Sequence, residues 1–240
     1  MAAPRPWTVL PHDPLQRLED NLWTVAGRLP HGPMNRRMSI VRLRDGGLLF
    51  HNAVPLEERA MAEVEAFGRP AFLVVPNGFH RLDLHAFRAR YPALRVLCPP
   101  PARRRVEALA RVDGGWEALP QGAGVEAVPL EGSRWGEAAL VVRSAGGARA
   151  SLVFGDAVMN IPHLPGAGGL LLRLVGSTGG AKVTAITRIV TVRDVRALAA
   201  ALERLVATPG LARLVPSHGD LVERDAAGVL RAVAGRLAAR

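Results

Sequence analysis

The chain has 240 residues, 49% hydrophobic and 22% charged, which fits a globular protein that buries a core and argues against disorder. Its formal net charge is +10, but aromatics are only 5% and the arginines are scattered, a poor match to a concentrated nucleic-acid surface. Cys98 is the only cysteine, which excludes an intrachain disulfide and a Cys-x-x-Cys site.

Residues 1–20 are rich in proline and charge and read as an extended arm ahead of a single domain at 21–240. The arm lacks the apolar centre of a signal peptide, and no apolar run is long enough to span a bilayer, so a reducing cytoplasm is the expected home. "NLWTVAG" (21–27) reads as a strand. "MSIVRLRDGGLLFHN" (38–52) reads as a hairpin turning at Asp45-Gly46-Gly47. Residues 56–68 show helical spacing at Leu56, Met61, Val64 and Phe67, with Gly68 as the stop. "PAFLVVP" is a continuous apolar strand, followed by a short helix over "LDLHAFRARY", the strand "LRVLCPP" and a helix over "PARRRVEALARV".

The second half opens with three strands in close succession, "GVEAVPL", "EAALVVRS" and "ASLVFGDAV". A helix around "GGLLLRLVG", a loose stretch "STGGAKVTAIT" and a long helix over 191–208 follow. The strand "LARLVPSHGDLV" and a terminal helix close the chain. Each half thus has a β-rich start and then helix–strand alternation, which predicts an α/β (α+β) four-layer αββα sandwich of two mixed sheets.

Three strand ends carry polar residues suited to a shared site: His80, Asp83 and His85 after "FLVVP", Asp156 after "LVF", and His218 after "LVP". Imidazole and carboxylate are common ligands of zinc and iron, and spacings this long need a fold that gathers distant loops. The competing reading makes His80, Asp83 and His85 a polar helix entrance, with Asp83 as its cap. It leaves Asp156 and His218 as loop-stabilising residues beside glycines. His51 and His163 read first as turn or loop residues. The glycine-rich stretches lack the frame of a phosphate-binding loop, and no Gly-x-Ser-x-Gly elbow is present.

Over most of its length the chain resembles the metallo-β-lactamase fold superfamily. "NLWTVAG…MSIVRLRDGGLLFHN" is similar to the opening hairpin, with His51-Asn52-Ala53 where an Asp-x-Gly turn is usual. "FLVVPNGFHRLDLHAF" stands where the H-x-H-x-D-H metal motif belongs. "SLVFGDAV" resembles the element of the metal-bridging aspartate, and "RLVPSHGD" the late strand ending in a metal-binding histidine. With strand ends aligned, the motif places hold Asn77, Phe79, Arg81 and Leu82, and the third-histidine place falls at Glu131 or Gly132, so the motif is degenerate.

The resemblance implies a hydrolase of an ester, amide or phosphoester, acting on a small molecule through an altered metal site. His80, His85, Asp156 and His218 are the expected metal ligands and Asp83 the expected catalytic group. The expected cofactor is zinc or iron, one ion rather than two. The alternative is a metal-free relic of the fold serving as a binding or scaffold module. No specific nucleic-acid or membrane partner is expected.

Overall fold

The computed structural model describes residues 5–239. Its larger sheet has six strands in chain order: β1 (Gln16–Glu19), β2 (Leu22–Arg28), β3 (Asn35–Arg42), β4 (Gly47–His51), β5 (Arg69–Val74) and β6 (Arg95–Leu97). β1 to β4 pair antiparallel, whereas β4, β5 and β6 run parallel through helical crossovers. Those crossovers are α1 (Glu58–Phe67) and α2 (Leu84–Arg90). After α3 (Arg103–Glu107), the second sheet takes β7 (Val125–Pro129), β8 (Ala138–Ser144), β9 (Arg149–Phe154) and β12 (Leu211–Pro216) in the order β12-β9-β8-β7. Between β9 and β12 lie a ribbon, β10 (Met159–Ile161) with β11 (Gly180–Lys182), and the helices α4 (Gly166–Leu174), α5 (Ala185–Thr191) and α6 (Val195–Val206). The last helix is α7 (Ala226–Ala238).

Strand alternation sorts the apolar residues into three cores, and three cores make four layers. Met38, Ile40, Leu48 and Phe50 face α1 and α2. Val41, Leu49 and Val74 face the other way and meet Leu140, Val153 and Val215 between the sheets. Leu152, Phe154 and Leu214 pack under α6 and α7. The predicted αββα sandwich of two mixed sheets is therefore the observed one.

The helices follow from local sequence. α6 buries Leu198, Leu202 and Leu205 on one stripe, and Asp194 caps it by accepting from the Arg196 and Ala197 N–H groups at 2.9 and 3.0 Å. Two expectations need correction. The helix expected through Val112 forms only α3 plus a single 3-10 turn, because the chain beyond it returns to the open edge of β6, where Cys98 N–H bonds Gly114 O at 3.1 Å. The stretch read as loose contains β11 and the start of α5, which is capped by Thr184 Oγ1 accepting from Thr187 N–H at 3.1 Å and ends at Thr191, so the long helix expected from 191 begins only at Val195.

Of the arm expected at 1–20, residues 1–4 lie outside the described residues. Within the rest, Gln16–Glu19 joins the first sheet as β1 and Trp7 packs on Phe87 at 5.0 Å.

Candidate metal centre

In each sheet a parallel pair sends its C-terminal ends toward one rim, and loops leaving such ends are where α/β folds gather polar groups. Phe154 pairs with Pro216, so Asp156 and His218 stand just past neighbouring strand ends. In the other sheet His51 ends β4 beside Val74, the last residue of β5, and the loop that follows carries Asn77 and His80.

These loops bring His80, Asp156 and His218 together. His80 Nε2 lies 2.9 Å from Asp156 Oδ1, His218 Nε2 lies 3.4 Å from the same oxygen, and the two rings are 5.3 Å apart. Among the described residues no other group of three or more histidine, cysteine or acidic side chains converges in this way, with all ligand atoms within 4.8 Å of one another. His218 Nδ1 is 2.7 Å from the Asn35 carbonyl, to which it can only donate, so its Nε2 is the nitrogen turned to the cluster. Gly219 follows at φ 90°, where a Cβ would lie 2.0 Å from Asn160 O, so only glycine allows this approach.

A second, polar layer holds the loops in place. Asn77 Nδ2 donates to Glu137 Oε1 at 2.6 Å and to Asp156 Oδ2 at 2.8 Å, while its Oδ1 accepts from Phe79 N–H at 2.8 Å. Glu137 Oε2 in turn accepts the N–H groups of Asp156 and Ala157 at 3.1 and 3.0 Å. Gly155 is needed for room rather than for a turn: a Cβ there would sit 3.0 Å from both Glu137 Oε2 and Pro76 Cβ. On the outside, the Arg105 guanidinium lies over Trp135 at 4.7 Å and Phe79 at 5.1 Å, bracing the loop that presents His80.

Electrostatics divide these groups. Burial alone would raise the Asp156 carboxyl, but the His80 charge and the hydrogen bonds from His218 and His80 outweigh it and hold it well below the usual carboxylate range. Burial opposes protonation of His218, but its bond to Asp156 and the Asp156 charge raise its pKa all the same. Burial first, then the neighbouring Asp156 charge, push Glu137 up to about 8. His51, on the same strand face as the inter-sheet Leu49, is pushed down to about 3, chiefly by burial and then by His80. Neither of its ring nitrogens has a hydrogen-bond partner.

Two of the expected site residues do not join the cluster. The Asp83 carboxylate is buried in an ion pair with Arg36, with Arg5 3.8 Å away. It stands at the cap position of α2, yet makes no capping hydrogen bond. His85 is half-buried on α2 outside the converging group. Glu131, one of the two places given to a third histidine, pairs with Arg204 at the surface, and Gly132 has no side chain to offer. A second acid, Glu137, stands behind Asp156, and neither it nor the role of Asn77 is expected from the sequence. A signal existed for both: Glu137 is a lone charge opening the apolar run "AALVV", and Asn77 breaks an apolar strand just before a glycine.

A cleft of about 380 Å³ opens over the cluster, with His80, Asp156 and His218 in its lining. Arg36 and Asn52 join them, and apolar side chains from the 79–82 loop and α5 form much of the wall.

No known family model matches the chain, and no curated protein matches it. Its fold is nevertheless shared with solved structures. It is similar to a metallo-β-lactamase from Erythrobacter litoralis, with a TM-score of 0.64 at 13% identity over 92% of this chain and 96% of that one. The metallo-β-lactamase from Pontibacter korlensis gives 0.61 at 12% identity over 92% and 98% of the two chains. That from Hirschia baltica gives 0.60 at 12% identity, again over 92% and 98%. The chain therefore has the metallo-β-lactamase fold. At this identity the likeness shows the fold alone.

Proposed function

We propose that the protein is a metal-dependent hydrolase with a single ion held by His80, Asp156 and His218. The convergence of their ligand atoms within 4.8 Å carries this reading. Two imidazole nitrogens and one carboxylate oxygen make a donor set suited to zinc or ferrous iron, and three protein ligands leave a position open for reaction. One ion fits better than two, because Asp156 Oδ2 is already engaged by Asn77 and leaves Oδ1 alone to face the histidines. When bound, such an ion supplies Lewis-acid chemistry, polarising a carbonyl or phosphoryl group and acidifying water.

The residues of the chain contribute the rest. His218, anchored through Nδ1, would offer Nε2 to an ion once that nitrogen loses its proton, and Asn77 with Glu137 holds the Asp156 carboxylate in register. The cleft walls keep water from the reacting group on one side.

One observation favours the metal-free relic instead: Asp156 is already satisfied by His80, His218 and Asn77. The experiment is metal analysis of protein purified without chelator, followed by zinc titration. About one ion per chain is expected, with His80→Ala and His218→Ala each weakening it at least tenfold and affinity rising with pH, since metal ligands bind in their deprotonated form. Zinc binding that is absent, or unchanged in both variants, would establish the relic.

A further inference from the structure

The walls of the cleft say more about the substrate than its floor does. Leu29, Met34, Phe79, Leu82, Ile186 and Val190 line it, and apart from the cluster itself Arg36 is the only ionisable residue among them. Among the described residues Arg36 is the only cation lining the cleft, with Nη1 held by Asp83 and with Nε and Nη2 buried without a partner, and a charged group lying along the apolar walls would lose its hydration without gaining a partner. Part of the exposed apolar surface lies here, an equal part lying on and just after α4 at Leu170, Leu171, Leu174 and Val175. Of ten large hydrophobic residues exposed among those described, Phe79, Leu82, Ile186 and Val190 line this cleft. α5 presents Ile186, Ile189 and Val190 at helical spacing, with Ile189 76% exposed. Ile189 lies outside the cleft, but Ile186 and Val190 form part of its wall, where an apolar ligand would cover them. The volume, about 380 Å³, lies at the small end of the range for clefts that hold small molecules.

We propose that the cleft receives an uncharged, chain-like apolar acyl group, so that the substrate is an acyl ester, thioester or amide. This rests on the hydrolase reading for its chemistry: water adds to the acyl carbon, the bond to the oxygen, sulfur or nitrogen leaving group breaks, and the products are a carboxylic acid and the protonated leaving group. The acyl chain lies along Leu82, Ile186 and Val190, and its carbonyl end meets His80, Asp156 and His218. The polar end of the cleft thus selects the reacting group, and its apolar end selects what is attached to it.

The test separates this inference from the metal reading by measuring binding rather than turnover. Acetamide, butanamide, hexanamide and octanamide are titrated into the full chain by ligand-observed NMR, with chelator and again with zinc. Affinity should rise about fourfold per added methylene, the equivalent of about 0.8 kcal/mol for each buried CH₂, until the cleft is filled. Leu82→Asp and Val190→Asp should each flatten that dependence. Both positions are 38% exposed, so the fold tolerates the charge. Equal affinity along the series, or a dependence untouched in both folded variants, would overturn the proposal even if zinc binds. A steep dependence in a protein that never takes zinc would sink the hydrolase reading and leave the acyl cleft standing.

Discussion

Asn77 and Asp156, 79 positions apart in the chain, are joined by a 2.8 Å bond from Nδ2 to Oδ2, and the same amide nitrogen reaches Glu137 Oε1 at 2.6 Å. One side-chain amide thus ties a loop of the first sheet to two carboxylates of the second. Its orientation is fixed by Phe79 N–H, which needs Oδ1 as acceptor. The site is assembled across the sandwich, so its integrity depends on the sheets staying packed.

Removing that amide should therefore be felt twice. In Asn77→Ala, the buried Glu137 and Asp156 carboxylates each lose a hydrogen-bond donor, at about 1–3 kcal/mol per unsatisfied group. Zinc affinity should fall about 10- to 100-fold as the Asp156 carboxylate loses its orientation. Urea denaturation and zinc titration check the two effects. Wild-type affinity in a destabilised variant would show that Asn77 serves the fold alone.

Asp83 gives a prediction opposite to the helix-cap reading of the sequence. A lost cap would cost about 1 kcal/mol. The observed pairing with Arg36 is buried on both sides, 3% and 0% exposed, so Asp83→Ala strands a buried guanidinium. The cost should be about 3–5 kcal/mol, with zinc affinity little changed. A denaturation midpoint showing only the smaller loss would argue that Arg36 finds another partner.

These two residues also mark how much the sequence reveals. Apolar runs and glycine stops locate the strands and main helices because burial and turn geometry act locally, as at Met61, Val64 and Gly68 on α1. Asp156 and His218 are legible for the same reason, since each sits just past an apolar strand. Which of His80, Asp83 and His85 turns toward them is decided by a partner elsewhere. Arg36, on β3, draws Asp83 to the helix side of the sheet, and Asp156, on the other sheet, draws His80 to the rim. Glu137 escapes notice because its role rests on N–H groups of Asp156 and Ala157, which no spacing in its own strand encodes.

The basic charge carries its own expectation. Several arginines are paired locally, among them Arg90 with Glu58 and Glu65, and Arg213 with Glu19. Binding to nucleic acid should therefore be weak, indifferent to sequence and lost at moderate salt. Filter binding across a salt series tests this, and tight, selective binding at physiological salt would contradict it.

His51 supplies the last prediction, and its sign can be worked out. Its pKa falls from 6.5 in the unfolded chain to about 3 in the fold, so between those values the unfolded state holds a proton that the folded state lacks. The contribution to stability is complete above pH 6.5 and is lost as pH falls toward 3, at about 1.4 kcal/mol per pH unit. Glu137, raised to about 8, acts in the opposite sense between 4.5 and 8, so the bare wild-type curve would mix the two. The difference between wild type and His51→Leu isolates the histidine. Leucine is close in size and leaves no buried nitrogen unpartnered, so the variant should match or exceed wild-type stability near neutral pH. Below pH 6 its advantage should widen with each unit. Chelator-treated protein, unfolded in urea from pH 7 down to pH 4, provides the measurement. Parallel curves for the two proteins would mean that His51 is protonated in the fold, and that a partner for its ring nitrogens exists there.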